Sequence, residues 1–245
     1  MFQRMKISRV LLACSLLLSL AVPALAVDGV IEINDAKVQA NGGYPFVITQ
    51  SGSYRLTSNL NVPTSSNGIV TAVSAVSIDL NGFTIFGAGS GGQIGVVCSF
   101  SCSVSNGTVS GMGKNGLNLG NHGRVERVRA IGNKGIGISV GDGSVVTGST
   151  ATDNGGDGID ATAGALISGN VVYGNGGVGM WIQYGTVIGN SVSMNTSYGL
   201  TLWYGAYGNN YFSLNSGGSM LASTQVSVPS SAQLGANVCG IQPCP

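Results

Sequence analysis

The sequence predicts an all-β solenoid, in which very short strands wind round one axis and stack coil upon coil. Three observations carry this expectation. A Gly followed by an apolar, any, apolar triplet recurs at Gly95, Gly116, Gly137, Gly158, Gly179 and Gly199, at spacings of 21, 21, 21, 21 and 20. In phase with it run Asn133, Asn154, Asn175, Asn195 and Asn215, and a third series, Asn170, Asn190 and Asn210. Finally, 41 of 245 residues are Gly and only 8% are charged, while 43% are hydrophobic. That composition suits short strands and tight turns rather than helices, and it excludes a disordered chain. With six Pro and no three-residue period, it also excludes a collagen-like triple helix.

Taken in order, residues 1–26 read as a signal peptide. Arg4, Lys6 and Arg9 precede an apolar run, and Ala24-Leu25-Ala26 fits a cleavage site. Ser15, Ser19 and Pro23 interrupt the run, which falls short of the roughly 20 residues a membrane span needs. The expected protein is therefore exported, periplasmic or secreted, with no membrane span in the mature chain. Cleavage leaves seven basic residues against nine acidic, a net charge of −2, which gives no reason to expect nucleic acid as a partner. Four cysteines remain, and local pairing of Cys98 with Cys102 and Cys239 with Cys244 is preferred to a zinc site. The two pairs lie far apart in sequence, and His122 is the sole histidine.

Residues 27–60 are expected to form an N-terminal cap and the first strands. Within them "INDAKVQA" predicts a short capping helix with Asn34 at its N-cap, ended by Gly42 and Gly43. Residues 61–216 hold the repeats, giving about eight coils with three strands each, at the spacing of the Gly series. Such a period is too short for a helix pair, and the characteristic Leu spacing of leucine-rich repeats is absent. Val125, Val146, Ile167, Val187 and Tyr207 form one expected internal column, and Ala130, Ala151, Val172, Val192 and Phe212 another. The Asn series suit corners, where each side-chain amide bonds its neighbours above and below. Residues 217–245 lose the repeat and are expected to close the end.

These repeats, with "YPFVITQSGSYRLTSNLNV" and "VSIDLNGFTIFG", resemble the right-handed parallel β-helix proteins of the pectin-lyase-like superfamily over roughly residues 44–216. The resemblance implies right-handed winding and a carbohydrate-related function. It does not choose the activity, because the superfamily spans lyases, hydrolases, epimerases, phage spikes and noncatalytic surface proteins.

Candidate chemistry lies where side chains face solvent. The middle residue of each triplet points outward, giving a column Val97, Asn118, Ser139, Asp160, Trp181, Thr201. Trp203 follows in the next outward column, and Tyr184 and Tyr204 occupy equivalent positions in adjacent coils. Trp181, Tyr184, Trp203 and Tyr204 are thus candidate sugar-stacking residues, with packing beneath the C-terminal segment as the alternative. Asp160, Asp142 and His122 are the candidate catalytic groups, His122 and Asp142 falling on adjacent coils at one edge. "GNHGR" is similar to the Gly-His-Gly element of the superfamily's polygalacturonases, but Asn121 replaces the first Gly and their Asp cluster is missing. Ca²⁺ is expected only if the protein is a lyase, and no other metal or cofactor is indicated. Lys114, Arg124, Arg127, Arg129 and Lys134 read as a solvated band pairing with Glu126 and neighbouring acids.

The expected role is noncatalytic interaction with a polysaccharide or cell-surface glycan through the aromatic edge, because coils of near-minimal length build no cleft walls. The alternatives are a lyase, hydrolase or epimerase acting on an acidic polysaccharide, and a structural or assembly module. The sequence leaves the oligomeric state open.

Overall fold

The computed structural model describes residues 29–218 and 221–244. The expected signal peptide lies outside the described residues. The repeat positions become three parallel sheets that run the length of the solenoid, one along each face. Sheet 1 contains the recurring triplets. Its strands begin with Phe46–Ile48 and Ile69–Thr71 and continue through Ile138–Val140 and Ile159–Ala161. Sheet 2 runs from Val30–Ile33 through Val145–Thr147 to Ser230–Gln233, and sheet 3 from Leu60–Val62 through Thr150–Thr152 to Val238–Cys239. Every pairing between coils is parallel, with successive repeats in register, as in Ile138 with Ile159 and Ile159 with Met180.

The solenoid makes about nine turns rather than eight. The extra turn comes from the closing segment, whose Val226, Ser230 and Val238 strands add a rung to each of the three sheets. Its spacing from the preceding coil departs from the period, so the repeat hides it. An antiparallel strand, Gln242–Pro243, then folds back on Val238–Cys239, and the Cys239–Cys244 disulfide fixes this hairpin. The Cys98–Cys102 disulfide staples the inner corner between sheets 1 and 2. At the other end the helix Asp35–Ala40 forms as expected, with the Asn34 side chain accepting the Lys37 amide at 2.9 Å. Its Val38 is fully buried over the first coil.

Both expected internal columns are buried, including Tyr207 and Phe212 in the last coils. Removing each Val or Ile of these columns from water contributes roughly 1.5–3 kcal/mol, the main term holding the stack together. Polar ladders carry the corners. From Asn133 to Asn195 each side-chain Oδ1 accepts from both the backbone N–H and the Nδ2 of the Asn one coil away, or, for Asn133, from the Met112 amide. Asn215 continues this ladder and Gln225 ends it, while Asn237 ends the Asn170 ladder. The amides are buried and fully bonded, which is the condition for keeping polar groups inside.

The Gly that opens each triplet is small for a reason of space. A Cβ on Gly158 would sit 2.4 Å from Val172 Cγ1, 2.6 Å from the Gly179 carbonyl oxygen and 2.8 Å from Asn175 Nδ2. The two sequence series are therefore one packing unit, a side-chain-free position against the amide ladder.

Candidate functional site

The corner between sheets 1 and 2 changes character along the axis. In the earlier coils it is a turn containing a left-handed residue: His122 at φ 57°, Gly143 at 64° and Gly164 at 71°. In the two later coils the corner is shorter by a single position. Asp160 pairs with Trp181, a full repeat further on, whereas Ala165 pairs with Gly185, one position short of a full repeat. The strand consequently runs without a break through Met180–Ile188, and again through Leu200–Gly208, bending at Gly185 and Gly205. Tyr184 and Tyr204 occupy this tightened corner.

The outcome is an aromatic edge. Tyr184 and Tyr204 are direct register partners, and their rings stack with centroids 5.1 Å apart and planes 11° from parallel. Trp181 and Trp203 approach at 6.4 Å with a 59° tilt. Trp203 is 50% exposed, Tyr204 47% and Tyr184 43%. The described residues of the C-terminal segment do not lie over them. They extend the sheets edgewise instead, Val226 beside Leu200 and Ser230 beside Tyr204. The described part of the cap therefore leaves Tyr184, Trp203 and Tyr204 open to solvent, while Trp181 is half-buried.

Asp160 lies directly before Trp181 on the outward column. Burial among its neighbours, and then the negative charge of Asp157, push its carboxyl up to about 6. Asp157 is itself raised by burial, although it accepts the Val178 amide at 2.7 Å. The sign of the resulting pH dependence follows from this shift. Below the usual carboxylate range both folded and unfolded chains hold the proton. Between that range and about 6 only the unfolded chain releases it, so Asp160 makes stability fall as pH rises through this window. Asp160 is part-exposed, which screens the effect to roughly 1 kcal/mol. Asp160→Asn should thus raise stability in denaturant titrations at pH 7.5 and leave it unchanged at pH 3.5. Equal gains at both values would remove the electrostatic account.

His122 and Asp142 come together as their sequence positions imply, with the His122 amide donating to the Asp142 carbonyl at 2.7 Å. The Asp142 carboxyl is held below the usual range by the Thr162 hydroxyl, by the Ala163 amide at 3.0 Å and by His122. A carboxylate so stabilised is a weak base. Asp160 does not join them. Asp142 stacks with Ala163, three residues past Asp160 and one coil away, which separates the two Cα atoms by roughly 11 Å at ordinary strand dimensions. The His122 ring instead meets Phe100 edge-on at 4.9 Å.

Asp157 and Asp160 supply two carboxylates, and among the described residues no group of three or more His, Cys, Asp or Glu is placed to hold a metal. The basic band pairs as expected at Glu126, which meets both Arg124 and Arg127. A feature that sequence reasoning missed lies nearby on sheet 2. Ser53, Ser77 and Ser103 stack in register up to Arg124 and floor a shallow groove beside His122. These early coils have irregular lengths, so the column escapes a search for fixed periods.

No protein-family model matches the sequence, and no curated protein matches it. Among solved structures, the A-module of the Azotobacter vinelandii mannuronan C-5 epimerase AlgE4 superposes with a TM-score of 0.51 at 14% identity, covering 86% of this chain and 79% of that one. The fold is a parallel β-helix. Two other β-helix structures align less well. The Dettilon tailspike protein gp208 has a TM-score of 0.39 at 14% identity, covering 76% of this chain and 46% of that one. A mutant of the periplasmic alginate epimerase AlgG has a TM-score of 0.34 at 13% identity, covering 77% and 70%. At such identities the likeness shows the architecture alone. Among the described residues, no helix of this β-helix is long and apolar enough to cross a membrane.

Proposed function

We propose that the protein is an exported β-helix that binds carbohydrate without transforming it, through the edge formed by Trp181, Tyr184, Trp203 and Tyr204. One observation carries this reading: the register-paired Tyr184 and Tyr204 and the neighbouring Trp203 stand exposed on an open face, with Trp181 half-buried against Trp203. Exposed rings cost free energy in water, and flat rings recover it against the apolar face of a sugar. Two disulfides agree with an oxidising compartment. The test is Trp fluorescence during titration of purified protein with a panel of polysaccharides. Both Trp residues of the sequence lie on the edge, so saturable binding should appear directly. Trp203→Ala should weaken it tenfold or more without altering the fold by circular dichroism. Affinity unchanged in that variant would place any glycan site elsewhere.

A second reading, an epimerase, lyase or hydrolase, is favoured by the raised carboxyl of Asp160 beside Trp181. It requires products. New reducing ends or unsaturated uronates, lost in Asp160→Ala, would establish it over the binding role.

A further inference from the structure

The charge map of the molecule is one-sided. No Lys, Arg or His occurs between residues 135 and 245, whereas Asp142, Asp153, Asp157 and Asp160 do. The aromatic edge begins at Trp181, inside this cation-free stretch. Across the fold, Arg124 and His122 belong to a coil three rungs before that of Tyr184, about 14 Å along the axis. Lys134 sits at the opposite corner of sheet 1, next to Asn133, in a coil two before that of Asn175. These separations exceed the screening length of about 8 Å at physiological ionic strength, and Arg124 is already paired with Glu126.

The polar groups beside the rings are acidic or uncharged, and none is a cation. Asp160 precedes Trp181 in the outward column and Thr201 follows it, with Thr162 and Gln183 in the next column. A carboxylated sugar needs cations, best in the two-pronged form that Arg supplies, and here it would meet Asp160 and Asp157. A hydroxylated sugar needs flat apolar surface and acceptors for its hydroxyl groups, and this edge has both. Resting on the carbohydrate-binding reading above, we infer that the edge selects uncharged glycans and discriminates against polyuronates, with Asp160 accepting hydroxyl hydrogen bonds from the sugar stacked on Trp181. The class therefore differs in charge from the acidic polysaccharide expected under the enzymatic reading.

The experiment compares three probes on the full protein by Trp fluorescence: neutral gluco- and manno-oligosaccharides, oligouronates, and cationic glucosamine oligomers. Neutral oligosaccharides should give saturable binding that changes less than twofold between 20 and 300 mM NaCl, and Asp160→Asn should weaken it about tenfold. Oligouronates should bind at least tenfold more weakly at 20 mM NaCl. Thr201→Lys, which sets a cation next to Trp181, should narrow that gap. Oligouronate binding as tight as neutral binding, and abolished by Trp203→Ala, would overturn the charge class while leaving the edge as a glycan site. Tightest binding of glucosamine oligomers, weakened steeply by salt, would overturn it in favour of cationic sugars. No response to any probe would overturn both the class and the carbohydrate reading.

Discussion

Asn175→Ala lowers stability by about 3–6 kcal/mol, the sum of two orphaned buried donors and a small cavity, although it removes only one side-chain amide. Asn175 Oδ1 accepts the Asn154 backbone N–H at 3.0 Å and Asn154 Nδ2 at 2.9 Å, while its own Nδ2 donates to the Ala151 carbonyl at 3.0 Å and to Asn195 Oδ1 at 2.8 Å. Truncation leaves both donors of Asn154 buried without that acceptor. Each orphaned donor costs roughly 1–3 kcal/mol, and the cavity adds to this. The loss is a large share of the roughly 5–15 kcal/mol that holds an ordinary domain together. Because each coil contacts only its neighbours, the defect should also split unfolding into two steps, with the coils on either side melting separately. Denaturant titration followed by far-UV circular dichroism and by Trp fluorescence tests this, since both Trp residues lie beyond the break. Asn118→Ala, on the outward column, should cost less than about 0.5 kcal/mol. A loss below about 1 kcal/mol for Asn175→Ala, with coincident transitions by both probes, would show that the ladder adds little and that the apolar columns alone set stability.

The same residues show why the fold was legible in the sequence and the site less so. A solenoid writes its architecture as a period, since each internal position must meet its own kind one coil away. The columns through Ile167 and Val172, the Asn corners and the outward-facing Asp160 and Trp181 could all be placed by counting. The ninth turn could not, because Val226 and Val238 enter at different spacings from their partners Leu200 and Tyr211. Ring exposure could not be counted either. It depends on whether the C-terminal segment folds over the rings or extends the sheets, and both paths use the same residues. The shortening of the period by a single position was visible in the sequence. Its meaning, a deleted turn residue that lets one strand carry Tyr184 round the corner between sheets 1 and 2, required the pairing of Ala165 with Gly185. The separation of Asp160 from Asp142 likewise rests on the pairing of the corner residue Asp142 with Ala163.

Gly205→Ala should be among the most damaging single-methyl changes in the aromatic half of the molecule. Gly205 bends the unbroken strand with φ at 141°, and a Cβ there would lie 1.9 Å from the Gly185 carbonyl oxygen. That oxygen is backbone, so no side-chain rotation relieves the clash and the two coils must move apart. Gly189 separates conformation from contact. It too has a left-handed φ, 65°, but a Cβ would meet nothing within 4 Å. Gly189→Ala therefore costs only the intrinsic penalty of a left-handed L-residue, about 1–2 kcal/mol. Gly205→Ala bears a comparable conformational penalty plus the separation of packed coils, for about 3–5 kcal/mol in all. Its effect also reaches the edge, because Tyr204 immediately precedes the bend and stacks on Tyr184 through the register that Gly205 and Gly185 hold. Glycan affinity should fall several-fold in Gly205→Ala under conditions where the protein remains folded, and remain at the parent value in Gly189→Ala. If both variants lose similar stability and both keep full affinity, the tight corner is not what sets the tyrosine stack. The edge would then owe its geometry to the tryptophans alone.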